Sequence, residues 1–330
     1  MNILMSSGMK TRELVVSGLK VTLAEAGRGA PLVYLHGFAD IHAASVGALP
    51  FHEQLARSAR VIAPAHPGCA GSEEDEGIES IDDVAFRYIE IIDALGLARF
   101  DLAGSCVGGW IAAELAVRHP ERVKRLVLIG ASGLFLEGKP TGDLFMEIQP
   151  LNGSSYAGLR ELMFARADTP EALALLPDGR SALEVEMSRY KAMRFCSRVG
   201  FSPPYFYNRK LRARLARYQG PALLLWGESD RMVPLAHAHA YEAGLRGAKL
   251  VVVPGAGHSP HLERTAQTLA AVKKFLGAGA AARSKTAARN KPAAPAQRVV
   301  KKASAKAIPA KPKRAAAKPA TGKSRLGRPR

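Results

Sequence analysis

The chain predicts an α/β protein: a mostly parallel central sheet of about eight strands with helices on both faces, an inserted helical segment and a basic C-terminal extension. Three observations point there. Short continuous apolar runs, such as residues 32–36, 222–226 and 250–253, are what strands covered on both faces require. Longer helical stretches alternate with these runs, and that alternation builds parallel sheets from crossover units. From Gly277 onward the composition changes abruptly to Lys, Ala and Pro.

In chain order, strands are expected at residues 13–16, 21–24, 32–36, 61–64, 100–103, 125–129, 222–226 and 250–253, after a flexible N-terminus over 1–11. Helices are expected at 81–95 and 110–119, the second stopped by Pro120. Residues 136–220 interrupt the alternation and read as helices at 157–166, 170–176, 181–196 and 209–218. Leu183, Met187 and Tyr190 recur at helical spacing and give one of these an apolar face. A core built from 12–135 and 221–276, an insertion over 136–220 and a tail over 277–330 follow. Phe145, Met163, Phe164, Met193 and Phe195 are candidates to line a pocket because they are large and apolar.

The chemistry is written most plainly in Gly104-Ser105-Cys106-Val107-Gly108. An apolar strand runs into this stretch and a helix leaves it, with glycines two residues to either side of Cys106. That is the spacing of a nucleophile elbow, a strained turn whose glycines let strand and helix approach without a Cβ clash. Centring the motif on Ser105 would need glycines where Ala103 and Val107 stand, so the register selects Cys106. A lone free cysteine is ordinarily a small buried hydrophobe. Two later stretches change that balance. Residues 222–226 lead to Gly227-Glu228-Ser229-Asp230, and residues 250–253 lead to Gly255-Ala256-Gly257-His258. Either residue alone would be read as a turn or surface group. Nucleophile, acid and histidine in that chain order form a triad pattern.

Together with His36-Gly37-Phe38 and the stretch from Ala63 through Pro67-Gly68 to Ser72, these motifs make residues 12–276 resemble the α/β-hydrolase fold family. The resemblance implies a Cys106–His258–Asp230 triad, a helical cap at 136–220 and an oxyanion hole from the backbone amides of Phe38 and Val107. His36 is expected to be structural. The cysteine departs from the usual serine and resembles the nucleophile of dienelactone hydrolases and of polyhydroxyalkanoate synthases.

A helix N-terminus or a nearby imidazolium favours the thiolate, which is the reactive form. The expected course is attack on a carbonyl, an oxyanion held by two amides, and an acyl-thioester released by water. Esters, lactones and thioesters are the expected substrates. Two other readings stay open: an acyltransferase or polyhydroxyalkanoate-synthase-like enzyme using the same triad, and a polyanion-binding protein with a weakly active hydrolase scaffold.

The chain carries 47 basic and 29 acidic residues, and sixteen of the basic ones lie in 277–330, which has no acid. The net charge of +18 therefore falls to +2 on the rest. Such a tail cannot bury enough apolar surface to offset its ordering entropy and is expected to be disordered, able to attract nucleic acid or another polyanion. Residues 325–330 match an AT-hook only in part, because Leu326 stands where that motif has arginine. The three cysteines are odd in number and far apart, as in a reducing compartment. With no signal-peptide run in the first nine residues and no apolar stretch of spanning length, a cytoplasmic protein is expected. The histidines lack metal-ligand spacing and the Gly-rich turn lacks a Lys-Ser/Thr continuation, so no metal or cofactor is expected.

Overall fold

The computed structural model describes residues 8–42, 49–147, 156–179, 183–201 and 205–289. Eight strands form one sheet: β1 (Lys10–Val16), β2 (Leu19–Ala26), β3 (Pro31–Leu35), β4 (Arg60–Pro64), β5 (Phe100–Ser105), β6 (Val123–Ile129), β7 (Ala222–Gly227) and β8 (Lys249–Val253). Their spatial order is β1-β2-β4-β3-β5-β6-β7-β8. Strands β3 to β8 run parallel, while β1 and β2 form an antiparallel edge. Successive residues enter opposite layers, as the period of two demands. Leu32 and Tyr34 of β3 join one core with Phe51, Leu55, Leu269 and Val272, whereas Val33 and Leu35 join the other with Val84, Trp110 and Ile111.

All eight expected strands are present. The edge strands reach beyond their apolar runs because the ladder continues through charged residues: Lys10 stands opposite Glu25 and Arg12 opposite Leu23, and the Arg12 guanidinium reaches Glu25 diagonally at 3.4 Å. Strand β1 starts at Lys10, inside the stretch expected to be flexible.

The helices that frame the sheet are α1 (Pro50–Ala56), α2 (Ile81–Ala94) and α3 (Cys106–Arg118). Five more lie between β6 and β7: α4 (Leu144–Glu147), α5 (Ala157–Met163), α6 (Pro170–Leu175), α7 (Leu183–Gly200) and α8 (Leu211–Arg214). The chain then adds α9 (Leu235–Gly244), α10 (Pro260–Glu263) and α11 (Thr265–Arg289). Helix α3 begins four residues earlier than its apolar pattern, at the turn itself, because glycines carry no periodicity signal. The expected helix at 209–218 resolves into α8 followed by a single 3₁₀ turn, Leu215–Arg217. Ser181, the expected start of α7, lies outside the described residues. Helix α11 continues to Arg289, past the composition break at Gly277, through alanine-rich sequence that suits a helix. Residues 290–330, the greater part of the basic tail, lie outside the described residues.

The inserted helices are tied to the sheet layer at several points. Gly142 N donates to Met232 O at 2.7 Å, and Arg231 donates to Glu161 O at 2.6 Å. Arg194 and Arg198 of α7 reach Glu74 at 2.8 and 3.0 Å.

The β5–α3 turn explains its own glycines. A Cβ on Gly104 would sit 2.2 Å from Gly108 O, and one on Gly108 would sit 2.2 Å from Leu35 O. Strand, helix and neighbouring strand β3 therefore meet at backbone distance. The obstacles are backbone atoms, so no rotamer relieves them. Gly108→Ala is expected to cost about 2–3 kcal/mol by overpacking and to lower the melting temperature by roughly 5–10 °C. An unchanged thermal melt would contradict this packing account.

Candidate active site

Cys106, Asp230 and His258 follow the C-terminal ends of β5, β7 and β8, the edge of a parallel sheet where loops converge. Cys106 adopts φ +51°, the left-handed region that costs a non-glycine residue about 1–2 kcal/mol. Ser105 before it is extended, with φ −114° and ψ 146°. The bend thus belongs to Cys106 and not to Ser105, in agreement with the glycine register.

The three side chains meet in a buried spot, with Cys106 4% exposed, His258 2% and Asp230 7%. His258 Nδ1 lies 3.0 and 3.1 Å from the two Asp230 carboxylate oxygens. The backbone N–H of Val233 donates to Asp230 Oδ1 at 2.7 Å and fixes the carboxylate. With Nδ1–H committed to Asp230, Nε2 is left free, and this buried nitrogen makes no well-formed hydrogen bond. Its neighbour is the Cys106 thiol. Burial alone would strip the ring of its proton, but the Asp230 carboxylate and then the Cys106 sulfur push the His258 pKa up to about 10. Behind the ring, a Cβ on Gly130 would come within 3.1 Å of Nδ1, so the loop after β6 holds the imidazole from below.

The His36-Gly37-Phe38 loop packs directly on the elbow: a Cβ on Gly37 would sit 2.9 Å from Cys106 Cβ. The backbone amides of Phe38 and Val107 donate to no partner among the described residues. His36 is structural, as expected. Its Nε2 accepts from His66 N at 2.9 Å and its Nδ1–H donates to Gly37 O at 3.0 Å. Burial, followed by the charges of His66 and His42, holds His36 well below the usual imidazole range.

The inserted helices pack against residues around the site. Phe195 of α7 stacks on the His66 ring at 4.3 Å, and Gly257, beside His258, lies against the backbone of Phe164. Phe164, Phe195 and Met163 are buried. Phe145 instead joins an aromatic group with Phe201, Tyr205 and Phe206. A surface cavity of about 280 Å³ opens at the seam between residues 67–78 and α7, with Met187, Tyr190 and Phe195 in its wall.

The three cysteines, far apart in sequence, gather near the site. Burial, with Cys106 and Cys69 as further contributors, holds the Cys196 thiol far above its usual range, and burial pushes Cys69 up to about 12. Both therefore stay protonated at neutral pH, and no disulfide joins any of the three. No grouping of His, Cys, Asp and Glu fit to hold a metal occurs among the described residues, and no described helix is long and apolar enough to cross a membrane.

Sequence reasoning missed a second buried cluster, in which Tyr34, His52, Ser105 and His261 surround the Asp40 carboxylate. Its members come from five separate segments, and no spacing rule connects them.

Comparison with known proteins shows the family. Residues 30–265 match the model of the alpha/beta hydrolase fold family. The chain is 29% identical over 276 residues to a 2-hydroxymuconate semialdehyde hydrolase of Pseudomonas sp. strain CF600, across 82% of this chain and 95% of that protein. It is 31% identical over 265 residues to a putative non-heme haloperoxidase of Mycobacterium phage D29, across 73% and 84% of the two chains. Among solved structures, a meta-cleavage product hydrolase from Pseudomonas fluorescens IP01 superposes with a TM-score of 0.65 at 21% identity, over 81% of this chain and 98% of that one.

Proposed function

Because the chain belongs to the α/β hydrolase fold family, we propose that it hydrolyses a carbonyl substrate by covalent catalysis, with Cys106 as nucleophile, His258 as acid and base, and Asp230 as the group that orients and charges the imidazole. The observation that carries the reading is the free Nε2 of His258. One ring nitrogen is bound to Asp230, while the other is buried, unpaired and next to a thiol held on a strained turn.

Proton transfer from the Cys106 thiol to His258 Nε2 gives the reactive pair, a thiolate beside an imidazolium. Thiolate attack forms the C–S bond, and the carbonyl oxygen becomes an oxyanion held by the Phe38 and Val107 amides. Collapse expels the leaving group, which takes the proton from His258. The acyl-thioester has no negative sulfur, so one of the contributions that keep His258 protonated is gone. The ring can now accept a proton from water, whose attack on the thioester returns Cys106 as thiolate. The inserted helices act as a cap that excludes bulk water. Composition alone assigns the basic stretch 277–330 to a polyanion; the chemistry proceeds without it.

Esters, lactones and thioesters suit this chemistry because their leaving groups need little help. The 29% relative brings a second candidate, a 2-hydroxy-6-oxo dienoate, whose terminal carbonyl is also an electrophile. A panel containing p-nitrophenyl butyrate, a γ-lactone, a thioester and 2-hydroxymuconate semialdehyde separates them. The expected result is a burst of nitrophenol equal to the enzyme concentration, retained after deletion of 290–330. Turnover of the dienoate alone would move the assignment to that substrate. Transfer to an added alcohol in preference to water would make the protein an acyltransferase.

A further inference from the structure

The cluster around Asp40 lies directly behind the elbow and takes no part in the steps above. Asp40 is 1% exposed, and its carboxylate is surrounded on every side. Oδ2 accepts from Tyr34 Oη at 2.8 Å, from Gly37 N at 3.3 Å and from Ser105 Oγ. Oδ1 accepts from Ile41 N at 2.7 Å. His52 Nε2 at 3.1 Å and His261 Nε2 at 3.4 Å complete the shell as close contacts, off the line of a good hydrogen bond. Burial opposes the charged form, yet the rings of His261 and His52 hold the carboxyl well below its usual range. A buried carboxylate with this many partners is a fixed point in the structure.

Two of its donors matter for the reaction. Gly37 is the residue before Phe38, and Ser105 is the residue before Cys106. One carboxylate therefore bonds both segments from which the oxyanion amides project, at the place where Gly37 touches the elbow. We propose that Asp40 is a positioning residue, which through Gly37 and Ser105 sets the distance between the Phe38 amide and the carbonyl carbon bound by Cys106. The proposal rests on Cys106 being the nucleophile.

Two reactions of the same thiol test it. Acylation by p-nitrophenyl acetate passes through an oxyanion; alkylation by iodoacetamide is displacement at carbon and needs none. Both rates are measured on the full chain for the wild type, Ser105→Ala and Asp40→Asn. Loss of an oxyanion donor slows acylation by about 10²- to 10³-fold in comparable sites, so a displaced donor is expected to cost roughly 10-fold in Ser105→Ala and about 10²-fold in Asp40→Asn. Alkylation of Cys106 should be no slower in either variant. An equal fall in both rates, or undiminished acylation in Ser105→Ala, overturns the positioning role. If Asp40→Asn does not fold, Ser105→Ala, which leaves the charge and its other partners, decides alone. A wild-type Cys106 that reacts with neither reagent overturns the nucleophile reading and this proposal with it.

Discussion

Cys106→Ala is expected to lower turnover of an activated ester by about 10⁴- to 10⁶-fold, the range found when a triad nucleophile is removed. The residual rate would come from the oxyanion amides and substrate binding, which the substitution leaves in place. Stability should barely change. Alanine inherits the φ of +51°, so the strain at the turn remains, and only a small buried thiol is lost. Neither of the other cysteines can substitute, because Cys69 and Cys196 are held as protonated thiols. Steady-state kinetics together with a thermal melt check both parts. A variant that keeps more than a tenth of the wild-type rate would remove Cys106 from the mechanism.

Asp230→Asn carries the next largest effect, a loss of about 10²- to 10⁴-fold in kcat by analogy with triads whose acid is neutralised. The amide can still accept from Val233 N, so the loop should hold its shape. What disappears is the charge that opposes desolvation of the imidazolium. His258 has a folded pKa raised to about 10 against an ordinary value of 6.5, with Asp230 the largest contributor among those that raise it. A group with a raised folded pKa contributes stability that is fully present below the unfolded pKa and is lost as pH rises through the folded one. The wild type should therefore melt well above Asp230→Asn near pH 6, and this margin should shrink as the pH approaches 10. A margin that grows with pH would show that the imidazolium is not what Asp230 stabilises.

Much of this site was legible because its pieces are local. A glycine on each side of Cys106 and a strand-end turn before Asp230 and His258 can be read without knowing what they touch. Steric demand explains why: Gly104 and Gly108 are dictated by backbone atoms a few residues or one strand away. The parallel core was legible for a similar reason, since strands such as β5 and β7 are buried on both faces and must be apolar throughout. Strand ends at the sheet edge were not, because β1 pairs through charged residues whose side chains say nothing of the ladder. Helix α3 was read short at its start, since Gly108 and Gly109 have poor helix propensity that tertiary packing overrides. The Asp40 cluster was invisible for a different reason. Asp40 and Ser105 are 65 residues apart, and no spacing rule links a carboxylate in one loop to a hydroxyl in another strand.

The most direct test is to stop the reaction of the full-length protein with a slowly hydrolysed ester in acid and to locate the acyl group by peptide mass spectrometry. The account predicts the added mass on Cys106, as a thioester cleaved by hydroxylamine. An acyl group on Ser105 or any other residue, or rapid turnover through no covalent adduct, would contradict it.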